Sequence, residues 1–481
     1  MTIPDRNYEN KWFILVAAGL GVFLATIDGS IVNVALPTMV KAFSADFSTV
    51  QLVVLAYLLT VTTLMLGIGR ISDMICKKQI YSLGFIIFTT ASVLCGLSWS
   101  VNALIAFRVI QAIGASMIMA LGVAIVTEAF PPSERGMAIG INGAVVSVGI
   151  VVGPTLGGLL IDALSWHWIF LVNLPVGIAG VLMVLKYVPS NMPVTRQRFD
   201  FLGAGLLFLS LFCLLLALTS SQELGFTNWL VIALFILATI GAIAFVRSEL
   251  HTEQPLLDLH LFNNLNFSIG LVTGLITFIA IAGAIFLMPF YLENVVGYDT
   301  RQVGLLLAVV PIVLVIISPI SGTLSDRFGT RLISVIGLFL LVLGYAALTT
   351  LGTNTSAAGF LLRFLLVGVG MAVFQSPNNS AIMGAAPRER LGVASGILAI
   401  TRTLGQTTGI ALLGSIWAGL VLSAENSLSP GGLTSASPEV QVEALQKTIT
   451  IIVFLIGFGL FLGVYAWQKE RKAKGYSHQS A

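Results

Sequence analysis

Leu24–Pro37, LATIDGSIVNVALP, decides the fold, because it sets an ionisable side chain, Asp28, inside a run otherwise fit only for lipid. Between Trp12 and Leu36 there is no other charge. A helix of that length climbs ~1.5 Å per residue, enough to cross a hydrocarbon layer ~30 Å thick. Asp28 is therefore immersed. A carboxylate there costs at least ~2.5 kcal/mol, so it is expected to face water or a partner, and it is a functional candidate by default. The plainer alternative is a carboxylate that only holds two helices together.

The rest of the chain has the same character. Of its 481 residues, 57% are hydrophobic and only 9% charged, and the mean hydropathy is +0.99. That excludes a string of soluble domains and identifies an integral membrane protein, with the bilayer as a partner and no nucleic acid. Cys76, Cys95 and Cys213 are an odd, scattered set, so neither a disulfide framework nor a metal site is expected. The polar first eleven residues are followed by no small-residue cleavage site, so the first apolar run reads as a retained helix. No G-x-x-x-x-G-K phosphate loop is present, which argues against ATP hydrolysis in this chain, and the expected role is transport and not that of an enzyme.

Apolar runs of spanning length recur fourteen times, from Trp12–Leu36 to Ile449–Trp467, each bounded by charges, Gly, Pro or Asn. Barrel strands would be about half as long and alternate in polarity, so the expected fold is all-α with fourteen transmembrane helices. All but six of the 24 Lys and Arg then fall on the side shared by the two termini. Lys41, Arg301 and Lys447 fall on the other side, and Arg108, Arg363 and Arg402 lie within helices. Both termini are therefore expected in the cytoplasm of a multi-pass protein of the cell membrane.

The chain also resembles itself at a long offset. Gly69-Arg-Ile-Ser-Asp73 is echoed by Gly322-Thr-Leu-Ser-Asp326 at an offset of 253, and Arg108 by Arg363 and Glu134-Arg135 by Glu389-Arg390 at 255. Helices 1–6 and 9–14 thus read as two six-helix parallel repeats, with a cavity expected between them near mid-membrane. The expected division is an N-terminal bundle over residues 1–188 and a segment 189–265 holding a linker, the inserted helices 7–8 and a loop. A C-terminal bundle over 266–468 and a cytoplasmic tail, 469–481, complete it. The repeats differ at Asp28, whose counterpart 255 residues on is Gly283.

Three further patterns carry chemistry. Asp28 and Arg108 should lie ~6 Å apart in depth, within reach of a guanidinium. The arginine favours the carboxylate and the apolar setting favours the neutral acid, the opposed terms a proton-coupled carrier needs. In helix 5, Gly149, Gly153, Pro154, Gly157 and Gly158 combine small residues four apart with a helix-bending proline. Gly405 and Gly409 repeat the glycines at an offset of 256, but Ile410 replaces the proline. The turns carrying Gly69 and Asp73, and Gly322, Asp326, Arg327, Gly329 and Arg331, read as a cytoplasmic gate that ion pairs can latch. Candidate cavity contacts are Asn33, Gln51, Tyr57, Gln111, Asn142, Gln375, Asn378, Asn379, Arg402 and Gln406, though each alone also serves as a helix-to-helix hydrogen bond.

These residues together resemble the major facilitator superfamily, and within it the fourteen-helix drug:proton antiporters, over nearly the whole chain. The family's loop motif, a glycine then Asp then Arg-x-Gly-Arg, is matched by Gly322, Asp326, Arg327, Gly329 and Arg331. The first copy departs from it at Met74 and Cys76. Arg108 and Gln111 match the helix-4 motif, with Ala112 for its glycine; Gly149–Gly158 is similar to the antiporter motif, and Ile27–Pro37 to the helix-1 signature. The resemblance implies a proton-driven multidrug exporter that uses no cofactor, acts on lipophilic small molecules and protons, and in some settings works with a periplasmic adaptor protein. Two alternatives stay open at this stage. One is an exporter dedicated to one metabolite such as a siderophore, lipid or antibiotic; the other is a non-transporting receptor or scaffold.

Overall fold

A computed structural model describes residues 9–72, 75–131, 135–190, 200–225, 227–252, 259–385, 391–424 and 436–479. Its described elements are helical. The first group is α1 (Lys11–Phe43), α2 (Phe47–Ser72), α3 (Lys77–Gly96), α4 (Val101–Ala129), α5 (Arg135–Ala163), α6 (Trp168–Leu171) and α7 (Asn173–Tyr187). Then come α8 (Phe201–Leu224) and α9 (Trp229–His251). The last group is α10 (Leu265–Phe290), α11 (Thr300–Leu307), α12 (Val309–Phe328), α13 (Thr330–Leu348), α14 (Ala357–Ala385), α15 (Leu391–Ala424) and α16 (Pro438–Gln479). Among the described residues, 13 helical segments are long and apolar enough to cross a membrane, with α6–α7 forming one and α11–α12 another. The remaining helix, α5, is 29 residues long.

Helix is forced here because lipid offers no partner for a free backbone N–H or C=O. Several spans outrun the apolar runs that announce them. The first continues past Pro37 to Phe43, since a proline within a helix removes one hydrogen bond without ending it. Ser44, with φ 48°, caps it in the left-handed region. The sixth run is broken at Val172, between α6 and α7. Past Phe290, the turn Tyr291–Val295 is a π-helix, the wider turn often seen where a helix is locally strained.

By contact the chain divides into two compact units. The first comprises Met1–Ala45, Thr49–Phe212 and Ala238–Leu256; the second comprises Asp46–Ser48, Cys213–Leu237 and Leu257–Ala481. Within the first, α1 packs on α4, α5 and α7, and α3 on α4 and α7. Within the second, α10 packs on α14, α15 and α16, and α13 on α14 and α16. These five pairings correspond one to one, in keeping with the repeat read from the offset, and α12 also packs on α14. Tyr81, Phe85 and Phe88 of α3 fill the core of the first unit against Ala112, Ala115 and Ile118 of α4.

Candidate functional site

The site of the first unit grows from α1, where Asp28 is 0% exposed, as are Arg108 and Gln111 of α4. Three side-chain donors converge on its carboxylate. The Arg108 guanidinium forms an ion pair with Oδ2. Gln111 Nε2 donates to Oδ1 at 2.8 Å and Asn173 Nδ2, at the start of α7, to the same oxygen at 3.2 Å. The amide orientations follow from the network. Gln111 Oε1 accepts from Arg108 Nη1 at 2.8 Å, and Asn173 Nδ2 also lies 3.0 Å from Ser92 Oγ, which in turn donates to the Phe170 carbonyl at 2.9 Å. A charge withdrawn from water is tolerable only when paired and hydrogen-bonded, and this one is both.

Arg108 has holds of its own. Its Nε donates to the Val53 carbonyl of α2 at 3.1 Å, and its guanidinium carbon stands 4.0 Å from the centre of the Tyr57 ring. The Tyr57 hydroxyl is bonded to the Ala25 carbonyl at 3.4 Å. Tyr57 and Gln111, read from the sequence as cavity contacts, thus sit on the Asp28–Arg108 pair. Asn173 and Ser92 were not singled out, although a lone asparagine inside the sixth apolar run was a signal that could have found the first.

The glycines of α5 set the depth and distance of α1. A Cβ on Gly149 would lie 2.1 Å from Thr26 Oγ1, one on Gly153 1.9 Å from Ser30 Oγ, and one on Gly157 2.8 Å from Ile31 Cγ1. Ser30 Oγ donates to the Gly149 carbonyl at 3.2 Å. Asp28 lies between Thr26 and Ser30, so this contact holds its turn in place. In the second unit, Gly405 and Gly409 of α15 meet α10 in the same way, and a Cβ on the latter would lie 2.3 Å from the Ile279 carbonyl oxygen. Gly158 is buried and Pro154 is carried inside α5 without ending it.

The second unit does not rebuild the ion pair. A Cβ on Gly283 would lie 2.1 Å from Leu413 Cδ1, so a leucine occupies the space an acid would need. Arg363, the echo of Arg108, donates instead to Thr350 Oγ1 at 2.9 Å and the Gly359 carbonyl at 2.8 Å. Asn378 Nδ2 bonds the Gly270 carbonyl at 2.9 Å, a helix-to-helix tie. Gln375 and Asn379 on α14, and Arg402 and Gln406 on α15, are partly exposed and make no side-chain hydrogen bond among the described residues. In the first unit Asn33 and Asn142 are buried with amide oxygens that meet no partner among the described residues.

Of the gate residues, Asp73 and the Asp326 side chain lie outside the described set. Gly69 and Gly322 are half-buried, and Arg327 is exposed. Gly329 takes φ +92° at the joint of α12 and α13, a conformation glycine adopts without steric cost. The Arg331 guanidinium reaches the Asn266 carbonyl at the start of α10. Glu128, at the end of α4, pairs with Lys77 of α3 at 2.8 Å.

Residues 18–410 match the family model of the Major Facilitator Superfamily. The chain is 35% identical over 466 residues to the riboflavin transporter RibZ of Clostridioides difficile, covering 97% of this chain and 99% of that protein. It is 35% identical over 405 residues to the multidrug resistance protein Stp of Mycobacterium tuberculosis, covering 84% and 75%. Its fold is shared with a bacterial homologue of the human lysosomal transporter Spinster, solved inward-facing and unoccupied. The TM-score is 0.67 at 19% identity, covering 96% of this chain and 97% of that one. An all-helical chain with this repeat, this family match and these relatives belongs to the major facilitator superfamily and is a membrane transporter of small molecules, not an enzyme.

Proposed function

We propose that the chain is a proton-coupled exporter of lipophilic small molecules, with Asp28 as proton carrier and Arg108 as its ionic partner. One observation supports this above the others: a carboxylate wholly withdrawn from solvent in α1, held by Arg108, Gln111 and Asn173, with no acid at its counterpart Gly283. A proton bound on Asp28 neutralises the carboxylate and removes its attraction to the guanidinium. The guanidinium is not then left bare, because Val53, Gln111 and the Tyr57 ring still hold it. Access to Asp28 alternates between the two faces: a proton from outside binds as cargo leaves, and its release inside resets the carrier. Both termini face the cytoplasm, no bound cofactor is needed, and the proton gradient supplies the energy.

The test is reconstitution of wild type and Asp28→Asn in liposomes under an imposed pH gradient. Wild type should move cargo uphill and exchange protons; the variant should fall to the level of empty liposomes while still binding cargo. Gradient-driven transport by the variant at the wild-type rate would refute the role of Asp28.

A single deep acid offers no pair of anchors for a dication, so neutral or monocationic cargo fits this site best. Arg402, partly exposed within a span and without an acid partner among the described residues, faces the cargo in this reading. Arg402→Gln is expected to raise KM about tenfold with maximal rate nearly unchanged, the loss of one charge-assisted hydrogen bond worth ~1.5 kcal/mol. An unchanged KM would remove Arg402 from the site. A second reading, one dedicated metabolite, is favoured by the near full-length match to a protein named a riboflavin transporter. Riboflavin therefore belongs in the same liposome panel as the drugs, and uphill transport of riboflavin alone would select that reading.

A further inference from the structure

We infer that the inserted helix pair α8–α9 binds an anionic glycerophospholipid, its acyl chain along an apolar groove and its phosphate on Arg247. The groove holds about 530 Å³ and is lined by Leu202 and Leu206 of α8 and by Ile240 and Ile243 of α9, ending at Arg247 and His251. On α9 these positions recur at three, four and four residues, so they form one stripe down one face. The stripe is apolar at Ile240 and Ile243 and polar at its end, where Arg247 carries a positive charge, the polarity profile of a lipid from chain to headgroup.

Depth agrees with that assignment. Trp229 opens α9 and is 77% exposed, as expected of an aromatic anchor at one interface. Arg247 lies ~27 Å further along the helix, close to the thickness of the hydrocarbon layer, which puts its guanidinium at the opposite headgroup plane. Charge agrees as well. Arg247 is exposed and makes no ion pair among the described residues. His251 Nδ1 lies 2.8 Å from the Arg247 carbonyl, which holds the imidazole at the end of the groove beside Arg247.

The nearby acids point elsewhere. Glu249 is 4% exposed, and its Oε1 and the Asp200 carboxylate both pack against Gly203, at 2.7 and 2.5 Å from where a Cβ would stand. Among the described residues the lining of the groove thus holds Arg247 and His251 and no acid. Phosphate is common to all glycerophospholipids, but a choline headgroup would bring a second cation to a site with nothing to receive it. Basic grooves between spanning helices are the usual seat of anionic headgroups.

The experiment is native mass spectrometry of the full-length protein. It is extracted from nanodiscs of phosphatidylcholine with phosphatidylglycerol at one part in five, for wild type, Arg247→Gln and the control Lys186→Gln. Wild type should retain one phosphatidylglycerol in preference to phosphatidylcholine. Arg247→Gln should lower that retention about fivefold, the effect of one basic residue facing an anionic lipid, and Lys186→Gln should leave it unchanged. Equal retention of the two lipids by wild type, or undiminished retention by an Arg247→Gln protein that still transports, would overturn the assignment.

Discussion

Arg108→Met is expected to cost ~3–5 kcal/mol of stability, the penalty for leaving a buried charge without its partner. The variant leaves the Asp28 carboxylate to Gln111 and Asn173 alone, at 2.8 and 3.2 Å, in a site closed to water. Methionine fills much of the arginine's volume, so the loss reports charge rather than a cavity. The companion measurement is Asp28→Asn with Arg108→Met, which removes both charges. Because breaking a buried pair costs far more than replacing it, the double variant should recover most of the thermal stability of wild type in detergent. It should recover none of the gradient-driven transport. If the single variant unfolds at the wild-type temperature, the pair carries no net charge interaction and the proposed role of Arg108 fails with it.

Gly153→Val should have the second largest effect, for a steric reason. A Cβ at 153 would lie 1.9 Å from Ser30 Oγ, 2.8 Å from Ser30 Cβ and 3.0 Å from the Ile31 backbone nitrogen. The hydroxyl can rotate away, but the Cβ and the backbone cannot, so α1 must move off α5. Overpacking of this kind costs ~1–3 kcal/mol. The functional loss should exceed the loss of stability, because Asp28 rides on the turn that is displaced while Arg108 stays on α4. Gly205→Ala is the matched control: nothing lies within 4 Å of a Cβ there, so folding and transport should be untouched. Thermal unfolding and liposome transport of the two variants, measured side by side, separate a local clash from a general intolerance of lost glycines.

Much of this was legible in the residues themselves. Fourteen apolar runs are a local property, and so is the demand that each satisfy its own backbone in lipid, which leaves helix as the solution. The repeat was visible because the Gly-x-x-x-Asp turn, the helix-4 arginine and the Glu-Arg pair recur at offsets of 253 to 255. The immersed acid was visible because a charge inside 25 apolar residues has no other explanation at that length. The arginine within reach of it followed from depth alone.

Rotation about the helix axis is not written in depth, and there the reading of single residues ran out. Arg108 and Arg363 hold equivalent places in the two repeats, yet one pairs with an acid and the other binds Thr350 and Gly359. What separates them is a contact between distant helices: Leu413 of α15 fills the space at Gly283 of α10 that the carboxylate fills in the first unit. Asn378 likewise could be assigned to a helix tie only once the Gly270 carbonyl stood 2.9 Å away. The break at Val172, just before the Asn173 that bonds Asp28, shows in the sequence only as an asparagine and a proline within an otherwise apolar run.

The chain by itself determined that the protein spans the bilayer many times, that it is built from one helical unit used twice, and that only the first copy carries an immersed acid. Those follow from hydropathy, length and spacing, which act within one helix or along one chain. Only the tertiary structure decided which groups surround that acid, which arginine serves it, and which glycines bring α1 and α5 close enough to hold it. Such choices depend on how helices are rotated and how closely they approach, and those are fixed by side-chain packing among segments 80 to 145 residues apart.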